Sequence, residues 1–240
     1  MVEEGLHAEL AALLPDLPRW VGPRGLLLAR RGEVVLGPEG KRGAGYLVLG
    51  RDRSEAFAVH RPVASLMRQL EAGDGLPRRV YVPLEDAAAW RTLLPGWSEQ
   101  AAVVHVHPTP QSLPRPDRPA RFLTLADTER LEHLEEQLAS ELSDALSNGP
   151  VAAAFESDLP VAFAYAAHQT ETWFDLSIDT LGEFRRRGHG TAAAAFLIHH
   201  FVPQGKRPVW GAMDADEASL AMAKKYGFRA VDRMMVFLAP

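Results

Sequence analysis

The sequence predicts a mixed α/β protein with two domains, the second built on a mixed sheet of the α+β kind. Runs of strand-like alternation are interleaved with runs of helical spacing along most of the chain. A proline-rich stretch near the middle disfavours both helix and central strand. The hydrophobic content of 47% over 240 residues is enough for a real core. We expect a domain at 1–106, a linker at 107–119 and a second domain at 120–240.

The first domain is predicted to begin with an amphipathic helix. Its apolar face is formed by Leu6, Leu10, Leu13 and Leu14. The segment RGLLLARRGEVVLGP then predicts two strands around a turn at Arg31 and Gly32. The patterns that follow are the strands GYLVLG and EAFAVH, the helix PVASLMRQLEAGDG, the strand RRVYVP, the helix LEDAAAWRTLL and the strand QAAVVHVH. These elements predict a smaller mixed α/β domain whose role the residues do not disclose.

The second domain is predicted to run strand, helix, three strands, helix, strand, helix, strand. After the strand RFLTL, Asp127 is a plausible cap for a long helix that ends at Asn148 and Gly149. The buried face of that helix is formed by Leu131, Leu134, Leu138, Leu142 and Leu146. The later patterns are VAAAFE, VAFAYAAHQ and WFDLSID as strands, TAAAAFLIHHF as a helix, PVWGAM as a strand, EASLAMAKKYG as a helix and FRAVDRMMVFL as a strand.

Composition excludes several classes of chemistry. The chain has no cysteine, which removes disulfides, thiolate metal sites and an acyl-cysteine intermediate. A net charge of −5 gives no general reason to expect nucleic acid or a membrane as partner. The N-terminus lacks a secretory pattern, and no apolar run approaches the ~20 residues of a membrane span, so we expect a cytoplasmic protein. No metal is expected, because the histidine pairs suit core or helix-capping roles.

One turn carries the strongest functional signal. The segment TLGEFRRRGHGTAAAAFLIHHF, Thr180 to Phe201, joins a strand pattern to an alanine-rich helix pattern. The amides at the start of such a helix attract anions, and Gly188 and Gly190 let a ligand approach the main chain closely. Three successive arginines add positive charge. An arginine run at a turn is also typical of solvated surface, so the pattern alone leaves both interpretations open.

Two motifs in this half resemble those of the GNAT superfamily, the acetyl-CoA-dependent N-acyltransferases. Arg185 to Gly190 matches the pattern Arg/Gln-x-x-Gly-x-Gly/Ala, at the matching point in the order of elements. The segment DADEASLAMAKKYGF resembles the later signature Asn-x-x-Ala/Ser-x-x-Leu-x-x-x-x-Gly-Phe. The residues in step are Ser219, Met222, Gly227 and Phe228. The resemblance covers residues 121–240; the first half is a diverged relative of the same fold or a domain that shapes the acceptor site or an oligomer contact.

The resemblance implies a fold and a cofactor, acetyl-CoA. Main-chain groups of the fourth strand would hold its pantetheine arm, and amides of the turn would hold its pyrophosphate. The cofactor-binding residues implied in this way are Ile178, Asp179, Thr180, Arg185, Arg186, Arg187, Gly188, His189, Gly190, Thr191 and Asp216. Asp216 stands where the family has Asn, a departure that weakens its assignment.

The reaction implied is N-acetyltransfer by direct attack of an amine on acetyl-CoA, which suits a chain without cysteine. An amine near pH 7 must lose a proton to a base, and Glu171 and Asp175 are the catalytic candidates. Ala223 stands where many relatives have the tyrosine that protonates the thiolate. The expected acceptor is a small-molecule amine or an amino terminus, and a homodimer is compatible with the sequence. The alternatives are a non-catalytic acyl-CoA-binding regulatory module and, more remotely, a nucleic-acid binder that uses the arginine turn.

Overall fold

A computed structural model describes residues 2–37, 45–60, 66–68, 70, 75–116, 118–128, 131 and 134–240. The chain divides into two compact units. Met1–Val106 and Gly211–Pro240 form the first unit, and His107–Trp210 forms the second. The C-terminal residues group with the first unit because the last strand of the chain pairs there. The domain limits inferred from the sequence stay a prediction.

The described elements agree closely with the predicted order. The helices are α1 (Val2–Leu13), α2 (Val21–Leu28), α3 (Ala87–Leu93), α4 (Leu125–Thr128), α5 (Glu136–Asn148), α6 (His189–Phe201) and α7 (Glu217–Lys225). The strands are β1 (Glu33–Leu36), β2 (Tyr46–Leu49), β3 (Glu55–Val59), β4 (Arg79–Pro83), β5 (Ser98–Val106), β6 (Ala120–Phe122), β7 (Ala152–Glu156), β8 (Leu159–Gln169), β9 (Trp173–Thr180), β10 (Arg207–Met213) and β11 (Arg229–Leu238). The mixed α/β fold class is confirmed.

The first unit has a sheet in the order β1-β2-β3-β4-β11-β5. The pairs are antiparallel except β3 with β4, and β11 lies between β4 and β5. Both faces of β2 are buried, with Leu47 and Leu49 in one apolar cluster and Tyr46 and Val48 in another. A strand covered on both faces reads as a continuous apolar run, which is what the sequence GYLVLG shows.

The strand predicted within RGLLLARR is wrong, because Val21–Leu28 is the helix α2. Pro23 is tolerated there since it lies in the first turn, where its missing N–H has no acceptor to lose. Leu26 and Leu27 pack into the cluster that also holds Phe57. A Cβ on Gly22 would lie 2.4 Å from Cζ of Phe57, so the helix approaches that ring only because residue 22 is glycine.

The helix predicted over PVASLMRQLEAGDG lies largely outside the described residues. Within that segment, residues 66–68 and 70 are helical. Leu66 and Leu70 are buried among the side chains of the first unit's core, together with Trp90. No helix in the described part of the chain combines the length and apolar character needed to cross a membrane.

The second unit contains strands in the order β10-β9-β8-β7-β6. β6 to β9 pair antiparallel, and β9 and β10 pair parallel. The helix α6 contacts β7, β8 and β9. Small side chains bring the helix close to the sheet, because alanines are buried on both elements. These alanines are Ala152, Ala153, Ala154, Ala162 and Ala164 on the strands and Ala192, Ala193, Ala194 and Ala195 on the helix.

The long helix predicted to start at Asp127 begins later, at Glu136. Asp127 instead lies in the short helix α4, where its carboxylate accepts hydrogen bonds from the main-chain N–H of Thr124 at 2.8 Å and from Arg121 at 2.6 and 2.8 Å. The hydroxyl of Thr124 also donates to Asp127, at 2.7 Å. A carboxylate at the third helical position that accepts the main-chain N–H of the preceding cap residue forms one half of a capping box, so the acid caps α4 only. The leucine stripe is confirmed in part, since Leu142 is buried in the core between α5 and the sheet.

Candidate functional site

The parallel pairing of β9 and β10 is short. The partners are Arg207 with Trp173, Pro208 with Phe174 and Val209 with Asp175. β9 continues to Thr180, paired with β8 on its other side. Within the described ladders, the edge of β9 from Leu176 to Thr180 therefore has no strand partner on the β10 side. Main-chain N–H and C=O groups on such an edge can pair with an extended ligand.

The turn that follows β9 has an unusual main-chain conformation. A 3₁₀ turn covers Gly182–Phe184, and Arg186 then has φ of +61°. Gly188, the N-cap of α6, has φ of +86° and ψ of 1°. Positive φ is strained for a residue with a Cβ, and glycine adopts it without that cost. The glycine motif of the sequence thus coincides with the point where the chain turns into the helix.

The start of α6 has no side-chain cap among the described residues. The Gly188 position offers no side-chain cap, and the first main-chain bond is donated by the N–H of Ala192 to the carbonyl of Gly188 at 3.0 Å. In the described part of the chain, no acceptor is recorded for the main-chain N–H groups of Arg186 to Thr191. Uncapped amides and the helix dipole together favour an anion at this end of the helix.

The arginines of the turn have different surroundings. Nε of Arg185 donates to the carbonyl of Thr180 at 3.1 Å, which fixes the start of the turn to the end of β9. The guanidinium of Arg187 lies 5.6 Å from the ring centroid of Phe184, a cation–π distance. Arg185, Arg186 and Arg187 are all exposed. They supply positive charge at the surface of the turn.

A fourth arginine at the turn is absent from the sequence-based site. Nε of Arg118 lies 3.7 Å from the position that a Cβ would take on Gly188. Arg118 belongs to the proline-rich linker, where nothing in the spacing of the sequence indicates a contact with a glycine some seventy residues later. Its Nη1 lies 3.8 Å from Oε2 of Glu156, the last residue of β7.

His189, the first residue of α6, is buried with 1% of its surface exposed. Neither ring nitrogen makes a hydrogen bond to the described residues, although Nε2 lies 3.1 Å from Oε2 of Glu156. Burial lowers the pKa of His189, and the positive charges of Arg118 and Arg187 lower it further, while Glu156 acts in the opposite direction. The imidazole is therefore mainly neutral at pH 7.

A second group of polar side chains lies on neighbouring positions of β8, β9 and α5. The hydroxyl of Tyr165 is 3.3 Å from Oδ2 of Asp179 and 3.3 Å from Oε2 of Glu141. Burial raises the pKa of Asp179, and the negative charge of Glu141 raises it further. The hydroxyl of Tyr165 and the charge of Arg185 oppose this shift. Burial also raises the pKa of Tyr165 above its ordinary value, so the phenol stays protonated.

The structure places the predicted bases on one hairpin. Glu171 is exposed in the turn between β8 and β9, and Asp175 is half-buried at the last paired position of the β9–β10 ladder. Alternation along a strand puts Asp175 and Asp179 on the same face, about 13 Å apart at ~3.3 Å per residue. The sequence analysis assigned Asp179 for its main chain alone and missed the side chains of Tyr165 and Glu141.

Asp216 has a structural role of its own. Its Oδ1 accepts a hydrogen bond from the main-chain N–H of Ser219 at 2.9 Å, which makes it the N-cap of α7. Aspartate is a favourable residue at this position. Asp216 lies in the first unit, and its assignment to the cofactor stays a prediction. Among the described residues, no group of three or more histidine, aspartate and glutamate side chains is arranged to hold a metal ion.

Known proteins provide an independent comparison. Residues 120–237 match the family model described as GNAT acetyltransferase. No curated protein matches the chain at a significant level. The chain is similar in fold to a GCN5-related N-acetyltransferase-like protein from Streptococcus suis 89/1591, with a TM-score of 0.70 and 17% identity over 98% of both chains.

Two further solved structures show the same fold. A putative acetyltransferase of the GNAT family from Novosphingobium aromaticivorans DSM 12444 has a TM-score of 0.64 and 16% identity over 93% of this chain and 96% of its own. A tandem GNAT protein from the clavulanic acid biosynthesis pathway has a TM-score of 0.56 and 12% identity over 83% and 80%. At these identities the likeness concerns the fold, while the family model covers the residues that carry both sequence motifs. Through its C-terminal half, the chain belongs to the GNAT superfamily of acetyltransferases.

Proposed function

We propose that the protein is an N-acetyltransferase that moves an acetyl group from acetyl-CoA to an amine of a small molecule or an amino terminus. The observation that carries the proposal is the uncapped N-terminus of α6 directly after the partly unpaired strand β9. The N-terminus of α6 offers main-chain N–H donors to phosphate. The unpaired edge of β9 offers main-chain hydrogen-bond partners to the extended pantetheine arm of coenzyme A. Membership of an acetyltransferase family supports the same conclusion.

The residues present fit coenzyme A. The main-chain N–H groups of Arg186 to Thr191 would hold the pyrophosphate. Gly188 leaves room because, among the described residues other than its chain neighbours, only the flexible side chain of Arg118 lies within 4 Å of the position of its missing Cβ. Ile178, Asp179 and Thr180 would hold the pantetheine arm through main-chain groups of β9. Bound acetyl-CoA supplies the activated thioester whose acetyl group is transferred.

The chain's own carboxylates would receive the proton that the acceptor amine loses. Asp175 and Glu171 remain candidates, and the structure adds the side chain of Asp179. A carboxylate with a raised pKa is a better proton acceptor at neutral pH than an ordinary aspartate, and burial raises the pKa of Asp179. The three carboxylates also attract the ammonium form of an acceptor, which favours a cationic substrate.

The leaving thiolate needs little help from the protein. A thiol has a pKa near ~8.5, so water can protonate the departing sulfur. Ala223, which stands where many relatives carry a tyrosine, is completely buried in α7 and has no polar group to offer. We therefore propose a reaction that depends on proton removal from the amine and on charge stabilisation by main-chain donors.

A panel of amines tests this function directly. Release of free thiol from acetyl-CoA is followed with polyamines, aminoglycosides, arylamines and peptides with free amino termini. We expect turnover with at least one class, together with a product that is heavier by one acetyl group in mass spectrometry. Replacing Gly188 with Glu should remove the activity, because it puts a negative charge at the start of α6.

The absence of a hydroxyl at Ala223 favours one second candidate, a non-catalytic module that binds acyl-CoA and regulates a partner. Such a module would bind coenzyme A tightly and release no thiol with any amine of the panel. Calorimetry and the thiol assay on the same preparation distinguish the two candidates. The cytoplasmic location expected from the sequence stays part of this proposal.

A further inference from the structure

Arg118 lies beside Gly188, the N-cap of α6. Its Nε and Cδ are 3.7 and 4.0 Å from the position of a Cβ on Gly188, and apart from residues 187–189 no other described residue has an atom within 4 Å of that position. The side chain is 46% exposed, so its guanidinium can move. Its cationic side chain thus lies next to main-chain donors for which the described residues provide no acceptor.

Glu156 places a negative charge at the same point. Its Oε2 is 3.8 Å from Nη1 of Arg118 and 3.1 Å from Nε2 of His189. An exposed ion pair at 3.8 Å contributes little to stability, and another anion can replace it at small cost. Phosphate oxygens form shorter, charge-assisted bonds with a guanidinium group.

His189 provides an independent sign of a missing ligand. The ring is 1% exposed, its Nε2 lies 3.1 Å from Oε2 of Glu156, and its Nδ1 has no hydrogen-bond partner among the described residues. Buried polar atoms without partners are rare because they forfeit their bonds to water. The ring lies at the first position of α6, beside the same uncapped amides and beside Glu156.

We propose that Arg118 binds the diphosphate group of an acyl-CoA. In the free protein Arg118 pairs with Glu156 instead, so Glu156 competes with the incoming diphosphate for Arg118. The inference rests on the proposed function and adds two residues to it. Arg118 of the linker contacts the diphosphate, and Glu156 competes for Arg118. Binding exchanges the ion pair between Arg118 and Glu156 for a bond between Arg118 and phosphate. Glu156 then repels the bound diphosphate, so it weakens affinity.

Isothermal titration of the full-length protein tests the assignment. Two probes are used: coenzyme A, and dephospho-coenzyme A, which keeps the diphosphate and lacks the 3′-phosphate. Arg118→Ala should weaken both by about ten- to a hundred-fold, the value of one charge-assisted bond. Glu156→Gln should tighten both by about three- to ten-fold. The control is Arg115→Ala, an exposed arginine of the same linker for which no ion pair is recorded within the described residues.

The outcomes separate the inference from the function on which it rests. Equal affinities of the Arg118→Ala and Arg115→Ala proteins overturn the inference while the function stands. A loss seen with coenzyme A alone also overturns it, because it assigns Arg118 to the 3′-phosphate. If the wild-type protein binds neither probe, the proposed function fails, and this assignment fails with it. Unchanged thermal unfolding of the ligand-free Arg118→Ala protein excludes misfolding as the cause of a loss.

Discussion

The hydroxyl group of Tyr165 lies 3.3 Å from Oδ2 of Asp179 and equally far from Oε2 of Glu141. A phenol has a single O–H, so two carboxylates share one strong donor. Because Asp179 is largely buried next to a second negative charge, its pKa is raised. This arrangement gives β9 a carboxylate that holds a proton more firmly than an ordinary aspartate.

We expect Asp179→Asn to lower kcat by about 10²- to 10⁴-fold, the usual contribution of a general base. The substitution keeps the shape of the side chain and the hydrogen bond to Tyr165, so the fold should persist. Glu171→Gln and Asp175→Asn are the matched variants at the two bases predicted from the sequence. Steady-state rates with a saturating amine show which of the three carboxylates matters. Full activity of Asp179→Asn would assign the proton to another group.

The acidic limb of the pH profile should report the pair of Asp179 and Glu141. A base works when ionised, so kcat/KM is expected to fall as pH decreases through the raised pKa of Asp179. The charge of Glu141 is one cause of that rise, so Glu141→Gln should lower the pKa and move the limb to lower pH. Ionisation of the acceptor amine is identical in both proteins and cancels in the comparison. Superimposable profiles would contradict this coupling.

Gly188→Glu should abolish measurable binding of coenzyme A, since it adds bulk and negative charge beside the uncapped amides of α6. Gly205→Glu is a close control: Gly205 also has positive φ, +81° against +86°, and follows the other end of the same helix. Apart from its chain neighbours, no described residue has an atom within 4 Å of the Cβ position of Gly205. Both variants should therefore lose similar stability to strain, and calorimetry should separate them. Retained affinity in Gly188→Glu would contradict the phosphate site.

Asp127→Ala should lower the free energy of unfolding by about 1–3 kcal/mol, through loss of the capping box and of the bond to Arg121. Arg121 is the main cause that lowers the pKa of Asp127. A depressed folded-state pKa gives stability that is present above the unfolded value of ~3.9 and is lost as pH falls toward the folded value. The difference between wild type and variant, measured by urea unfolding, should therefore shrink below about pH 4. Asp144→Ala, on the exposed side of α5, should change stability by less than about 0.5 kcal/mol.

A chain that ends at Trp210 should lose the first unit while the second keeps its fold. β11 forms ladders with both β4 and β5, and its removal leaves two apolar strand edges without partners. Limited proteolysis should cleave the first unit of the shortened chain rapidly. Equal protection of residues 1–106 in both proteins would mean that this part folds without its central strand.

Sequence patterns predicted most helices and strands because the signals for these elements lie within a few neighbouring residues. Alternation and glycine punctuation identified β7, β8 and β9, and the alanine run identified α6. The strand predicted around Leu26 and Leu27 is wrong because a short apolar run suits a buried helix as well as a strand. Contact with Phe57 decides between the two. The predicted helix start at Asp127 is wrong because its carboxylate reaches back to the main-chain N–H and the hydroxyl of Thr124, so it lies inside the short helix α4.

The candidate site likewise has one part formed by adjacent residues and one part formed by contacts between distant segments. The uncapped turn at Gly188 follows from a motif of adjacent residues, so the sequence reveals it. Tyr165, Glu141 and Asp179 meet through strand register and the packing of α5, and no spacing within the chain encodes that meeting. Arg118 reaches Gly188 from a linker whose prolines predict only an extended conformation. Contacts between distant segments are therefore the part of the site that the sequence does not predict.

The place of β11 between β4 and β5 constrains the order of events during synthesis. Residues 107–210 emerge from the ribosome as one continuous stretch and can fold as soon as they are free. The first 106 residues emerge earlier yet must wait, since the strand that lies between β4 and β5 is translated only after residues 107–210. Nascent chains should thus fold residues 107–210 before the amino-terminal half, the reverse of the order in which the two are made.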